Sequence, residues 1–156
     1  MNRLFYLCAA CMLFSVSSVF AQKQVDFTSH KDGQVVRSRL IRELKGTANN
    51  VPDDGHVWIL VQSEGFNGWY PQGGGERKRP VQVLQEKWTW TCEVYLGEEP
   101  DSYKGKYEIA IVVVNDEVHR ELQGYVQKAN QGIYIPIDFP KVIGDDYQKS
   151  IMVDRQ

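Results

Sequence analysis

Alternating apolar and polar positions run through most of this chain and predict a protein built from β-strands. In the run from His56 to Glu64, apolar side chains fall on both faces of the predicted strand, which is typical of a strand at the centre of a sheet. Trp88 to Leu96 alternates strictly, and Tyr107 to Val114 carries β-branched residues on both faces. These three strands are therefore expected to form most of the hydrophobic core.

Weaker strand patterns fill the rest of the chain. A short edge strand is expected around Val25 to Phe27, and a single strand over 36–46, where the apolar positions share one parity. Further short strands are predicted at Val81 to Gln85 and Ser150 to Val153. Between them, 65–80 is rich in glycine and proline and is expected to be an exposed loop.

The spacing of apolar positions changes once, after Asn115, from the period of a strand to that of a helix. This change predicts one inserted α-helix near residues 116–128. Asn115 is a suitable N-cap, and two acidic residues follow it in the first turn. The apolar stripe of this helix consists of Val118, Leu122, Tyr125 and Val126. Six or seven strands without a βαβ rhythm, together with one helix, predict a mainly all-β, two-sheet antiparallel sandwich.

The first 21 residues read as a secretory signal peptide. Arg3 precedes the apolar run Leu4 to Phe20, and Val19-Phe20-Ala21 supplies a small residue at the cleavage site. The alternative is an uncleaved membrane anchor, because the run is long enough to span a bilayer. We expect cleavage before Gln22, a single domain over 22–156, periplasmic or secreted localisation, and no stable membrane insertion after cleavage.

The amino-acid composition limits the expected binding partners and the disulfide bonds that the chain can form. The formal net charge is −2 and no basic stripe is present, so nucleic acid is not an expected partner. Cys8 and Cys11 leave with the predicted signal, which leaves Cys92 without an internal disulfide partner. Because Cys92 shares parity with Trp88 and Trp90, we predict a buried neutral thiol.

Signatures of catalysis are missing from the sequence. The three histidines are scattered, without metal-ligand spacing, and no serine lies in a Gly-x-Ser-x-Gly turn. One proton-transfer pair is conceivable, between His56 and the neighbouring Asp53 or Asp54. We therefore predict that the protein is not an enzyme, with a small hydrolase built on the acidic loops as the less favoured alternative.

Aromatic residues in a predicted loop give the best indication of a binding site. Trp69 and Tyr70 lie where no strand alternation demands large apolar side chains, so they could form an exposed platform for a sugar ring or a protein. The alternative is that both fold back to cap the sandwich. Counting strand reversals places their loop beside the one over 97–106. The predicted ligand-binding set is Trp69, Tyr70, Glu98, Glu99, Asp101 and Tyr103.

Acidic residues in that second loop raise the question of a metal ion. Glu98, Glu99 and Asp101 lie close together in this loop, and Asp145 and Asp146 lie together in another. Calcium prefers several converging carboxylate and carbonyl oxygens. The twelve-residue calcium-loop pattern is not present in the sequence, and solvated turns explain such runs as well. We expect no cofactor, with calcium as the alternative.

Several motifs together resemble a type of exported bacterial immunoglobulin-like domain of uncharacterised role. The likeness extends over most of residues 25–153. It is carried by His30-Lys31-Asp32-Gly33 with Val36, Gly46-Thr47-Ala48, His56-Val57-Trp58, Trp69-Tyr70-Pro71-Gln72, Trp88 and Tyr95-Leu96-Gly97. The resemblance implies an immunoglobulin-like sandwich outside the cytoplasm and no catalytic residue. We therefore expect a non-enzymatic binding or interaction module for protein or carbohydrate, the more specific alternative being a carbohydrate-binding module that uses Trp69, Tyr70 and Tyr103.

Overall fold

A computed structural model describes residues 23–72, 82–84, 89–97 and 104–156. The predicted signal peptide, Trp88 and the acidic residues Glu98, Glu99 and Asp101 lie outside these ranges. The elements in chain order are β1 (Val25–Phe27), β2 (Gln34–Val36), β3 (Leu40–Ala48), β4 (His56–Ser63), β5 (Tyr70–Gln72), β6 (Gln82–Leu84), β7 (Thr89–Tyr95), β8 (Gly105–Val114), α1 (Asp116–Ala129), a 3₁₀ turn (Asp145–Tyr147) and β9 (Gln148–Arg155).

The strands form two packed sheets. One has the order β1-β3-β7-β6 and the other the order β2-β9-β8-β4-β5. Together with the single helix, these two sheets confirm the predicted fold class, a mainly β two-sheet sandwich. One detail differs from the prediction: β2 pairs with β9 in parallel, so the five-stranded sheet is mixed rather than wholly antiparallel.

Two hydrophobic clusters explain why β4 and β8 are apolar on both faces. The larger cluster fills the space between the sheets and includes Ile59 of β4, Ile111 of β8 and Trp90 of β7. The smaller cluster lies on the outer face of the five-stranded sheet, where Trp58 and other outward residues pack under α1. As predicted, β4 is an inner strand of its sheet, paired with β8 on one edge and with β5 on the other, and both of its faces are covered.

The predicted helix is also confirmed, and its stripe forms the lid of the smaller cluster. The Asn115 side chain accepts a hydrogen bond from the Val118 backbone N–H at 3.1 Å, as an N-cap does. Leu122 is fully buried, while Val118 and Val126 are partly buried against the same cluster. The apolar face of α1 therefore attaches it to the sheet.

Shortening a buried side chain on the apolar face of α1 should lower the stability of the domain. Leu122→Ala should lower the free energy of unfolding by about 2–4 kcal/mol, because a fully buried leucine leaves a cavity that its neighbours only partly fill. Urea unfolding followed by tryptophan fluorescence measures this, with the adjacent exposed Glu121→Ala as the control. A loss below about 0.5 kcal/mol, the range of surface substitutions, would mean that α1 contributes little to the fold.

The single strand predicted over 36–46 is wrong in one respect. The chain leaves the five-stranded sheet after Val36 and enters the four-stranded sheet at Leu40, and the pairing of β3 with β7 shifts register between Ile41 and Leu44. Such an irregularity places an additional residue in one strand, so strict alternation is lost. As a result, Ile41 and Leu44 both reach the core although their positions differ in parity.

Cys92 lies in the core between the sheets, as predicted. Its side chain is buried, and burial raises the pKa of the thiol to about 12, with the neighbouring Glu93 carboxylate adding to the rise. The neutral thiol is therefore inert in the native state.

The burial of Cys92 leads to two predictions, one on the reactivity of its thiol and one on the stability of the domain. A thiol reagent should label Cys92 only as fast as the domain unfolds, and Cys92→Ala should lower the free energy of unfolding by about 1 kcal/mol. Mass spectrometry of timed labelling reactions, with and without denaturant, measures the first. Rapid stoichiometric labelling of the native protein would contradict the assignment.

Candidate functional site

The turn after β4, which leads to Trp69 and Tyr70, lies at one end of the sandwich. Because β4 and β8 are antiparallel, the turn after β4 lies beside the start of β8, and the Glu64 N–H donates to the Lys106 carbonyl at 2.9 Å. The described ends of the loops at 64–69 and 97–106 therefore lie together, as predicted. Asp53, Asp54 and the start of α1 lie at the opposite end, where His56 pairs with Val114.

Of the six residues in the predicted ligand-binding set, the structure describes only Trp69 and Tyr70. Glu98, Glu99, Asp101 and Tyr103 lie outside the described residues, so their part in the site stays a prediction. Tyr70 does not lie in a loop: it opens β5, whose three residues pair with β4, and this corrects the single loop predicted over 65–80. Both Trp69 and Tyr70 are half-buried rather than freely exposed.

Trp69 is held by the segment that follows α1. Its backbone forms two hydrogen bonds with Ile137, of 2.8 Å and 3.0 Å, and its indole packs edge to face with Phe139 at a centroid distance of 5.1 Å. Close approach is possible because Gly68 has a left-handed φ of 121° and a β-carbon there would collide with Pro136. Trp69 is also partly buried against the outer cluster of the five-stranded sheet, and it borders a cleft.

This aromatic cleft lies over the outer face of β8 and β9 and has a volume of about 550 Å³. Paired residues of neighbouring strands share a face, so Ala110 and Ser150 form adjoining parts of its floor. The residues that line the cleft include Trp69, Phe139, Glu108, Ala110, Gln148 and Ser150. The aromatic rings of the cleft come from the segments before β5 and after α1, and the polar side chains Glu108, Gln148 and Ser150 come from β8 and β9.

Two lysines border the same cleft, but both donate hydrogen bonds to residues outside it. Lys149 donates to the Asp26 carboxylate at 2.5 Å, and Lys23 donates to the Asp145 carbonyl at 2.6 Å. Within the described part of the chain, the side chains of Glu108, Gln148 and Ser150 have no such hydrogen bond. They are the polar groups with free capacity for a ligand.

An apolar patch adjoins the cleft. Four of the seven large hydrophobic side chains that are exposed among the described residues fall within 133–139, namely Ile133, Tyr134, Ile135 and Phe139. Ile135 is 65% exposed and Tyr134 is 53% exposed. An exposed apolar concentration of this kind marks interaction surfaces more often than chance exposure.

A histidine cluster occupies the opposite end of the domain. His56 does not pair with Asp53 or Asp54; its Nε2 lies 2.7 Å from Oδ1 of Asp116, because the β4–β8 register brings the start of α1 beside it. The His56 ring stacks on His119 at a centroid distance of 3.8 Å and an interplanar angle of 13°. The hydrogen bond to His56 holds the pKa of Asp116 below its usual value.

Metal ligands do not converge anywhere in the described ranges. Within them, no group of three or more histidine, cysteine, aspartate or glutamate residues is positioned to hold an ion. Glu98, Glu99 and Asp101 lie outside those ranges, so calcium binding there stays a prediction, whereas Asp145 and Asp146 are described and belong to no such group.

Comparisons with protein-family models, with curated proteins and with solved structures found no match to this chain. Among the described residues, no helix combines the length and apolar character needed to cross a membrane.

Sequence reasoning missed four residues of the cleft: Phe139, Glu108, Gln148 and Ser150. Phe139 lies in a stretch without periodicity, so nothing local indicates its contact with Trp69. Glu108 gave a weak signal, because it is a charged residue at the start of an otherwise apolar buried strand.

Proposed function

We propose that this chain is an exported, non-enzymatic binding module that holds a saccharide in the aromatic cleft. The observation that carries the proposal is the pairing of two aromatic rings, Trp69 and Phe139, with uncommitted polar side chains across one cleft. A sugar ring has the same two-sided chemistry, with apolar C–H faces that pack on aromatic rings and hydroxyl groups that need hydrogen-bond partners.

The polar side of the cleft offers the hydrogen bonds that a sugar requires. The Glu108 carboxylate accepts, whereas the Gln148 amide and the Ser150 hydroxyl can both donate and accept. Each of these groups is at least partly open to solvent, so a ligand replaces water rather than exposing a buried group. Hydroxyl-rich ligands fit this mixture better than purely apolar or strongly charged ones.

A glycan array followed by calorimetry on the mature chain tests the proposal. Phe139→Ala and Gln148→Ala should each weaken binding about tenfold or more, the effect of losing a contact worth about 1.4 kcal/mol. Tyr95→Ala is the matched control, because Tyr95 is exposed to a similar degree as Phe139 but lies on the other sheet. The proposal fails if no saccharide binds, or if only Tyr95→Ala reduces binding.

A protein partner is the second candidate, and the apolar patch over 133–139 favours it. In this alternative, Ile135→Asp should abolish capture of the partner by the mature chain, because a charge would be buried at the interface. Val35→Asp, at an exposed aliphatic residue on β2, should leave capture unchanged. Equal loss in both variants would argue against a role for the patch.

Export is the setting in which we propose that the module acts. The signal peptide over residues 1–21 supports this, and the mature chain should begin at Gln22. Mass spectrometry of the protein recovered outside the cytoplasm measures the N-terminus. A mature mass that retains residues 12–20 would contradict it.

A further inference from the structure

Histidine side chains take part in the polar and ring contacts that connect the start of α1 to β4. His56, on β4, bonds to Asp116 in the first turn of α1 and stacks on His119 one turn later. Nε1 of the buried Trp58, also on β4, lies 3.0 Å from Nδ1 of His119. The N-terminal half of the helix therefore meets the sheet partly through two titratable rings.

The bond to Trp58 fixes the protonation state of His119. An indole N–H can only donate, so Nδ1 of His119 must be the acceptor and must carry no proton. The ring is then neutral, with its hydrogen on Nε2. A second proton can enter only at Nδ1, and its entry breaks the hydrogen bond to the indole.

We propose that protonation of His119 weakens the attachment of α1 to the five-stranded sheet, which gives the domain a pH-sensitive contact. The protonated ring loses its hydrogen bond to Trp58 and brings a positive charge against the stacked ring of His56. This inference does not depend on the proposed function, because neither His56 nor His119 lines the aromatic cleft.

The charged groups around His119 have opposing effects on its pKa. From β4, His56 disfavours its protonation; from α1, Arg120 disfavours it and Asp116 favours it. The outward residues of β8 at this point, Val112 and Val114, are apolar. Burial is the largest effect, and together these groups lower the pKa of His119 from its ordinary value of 6.5.

The direction of the pH effect follows from that shift. Because the folded-state pKa lies below the unfolded value, the unfolded chain binds the proton more readily. The contact is intact above about pH 6.5, the ordinary value for histidine, and its contribution to stability is lost as the pH falls through the folded-state pKa. Acidification therefore loosens α1.

Magnetic resonance of the isotope-labelled mature chain tests this between about pH 7.5 and about pH 5, the range in which histidine titrates. The indole N–H resonance of Trp58 should shift with the same midpoint as the His119 ring, below 6.5. Amide protection in α1 should fall over the same range, relative to the amides paired between β4 and β8. His119→Asn is the matched variant, because its amide oxygen can replace Nδ1 as acceptor but does not titrate.

Two further measurements keep the inference falsifiable. Replacing His56 with glutamine removes one of the neighbours that disfavour the charged ring, so the His119 midpoint should rise. The inference is overturned if His119 does not titrate above about pH 5, if the Trp58 resonance stays fixed while His119 titrates, or if α1 loses protection equally in the His119→Asn variant.

Discussion

Gly46→Ala is expected to destabilise the domain by about 3 kcal/mol or more, at the upper end of the overpacking range. Gly46 lies in the middle of β3, paired with Phe27 on one side and with Trp90 on the other. A β-carbon there would collide with the Asp26 carbonyl oxygen and with the indole ring of Trp90. The oxygen belongs to the backbone, so it cannot move aside as a flexible side chain can.

The surroundings of Trp90 leave little room for adjustment. Its indole N–H donates to the Thr47 carbonyl at 3.1 Å, and its ring packs edge to face with Phe27 at 5.5 Å. Moving the ring away from Gly46 would therefore cost a hydrogen bond and an aromatic contact together.

Urea unfolding measures the Gly46 effect, with Gly124→Ala as the matched control. Gly124 lies within α1 and a β-carbon there meets no atom within 4 Å. The control should gain about 0.5–1 kcal/mol from better helix propensity. If Gly46→Ala remains within about 1 kcal/mol of the unmodified protein, the packing of Trp90 over β3 is wrong.

Trp58→Ala is expected to cost about 3–5 kcal/mol, the usual range for removing a large buried aromatic side chain. Trp58 is only 1% exposed, and it fills the outer cluster beneath α1. The truncation would also leave Nδ1 of His119 without its donor. Both effects weaken the same contact, between the helix and the five-stranded sheet.

Trp58→Phe separates these two contributions. Phenylalanine keeps most of the ring but has no N–H donor, so it should cost clearly less than alanine. Thermal unfolding of both variants, compared with the exposed Phe139→Ala, measures the difference. If Trp58→Ala melts within a few degrees of Phe139→Ala, about the shift of 1 kcal/mol, the outer cluster is not a second core.

Regular periodicity made much of the fold predictable. The double-sided apolar run at 57–61 indicated a sheet covered on both faces, and the stripe that includes Leu122 indicated the helix that covers it. Cys92 could be assigned to the core because its neighbours alternate strictly. In each case, the spacing of apolar side chains within one strand or helix was sufficient for the prediction.

Contacts between distant segments were not predictable in this way. Local sequence suggested Asp53 or Asp54 as the partner of His56, but the β4–β8 register brings Asp116 to it. Likewise, the contact of Trp69 with Phe139 depends on how an aperiodic segment crosses the sheet. The candidate site therefore emerged only from the three-dimensional structure.

Chemical-shift mapping of a saccharide titration most directly tests the central claim that the aromatic cleft is a ligand site. A saccharide selected on the glycan array is added to the isotope-labelled mature chain, and backbone and indole resonances are followed to saturation. The account predicts saturable shifts centred on Trp69, Phe139 and Ser150, with little change at His56 or Tyr95. Saturable shifts centred elsewhere, with the Trp69 indole resonance unmoved, would contradict it.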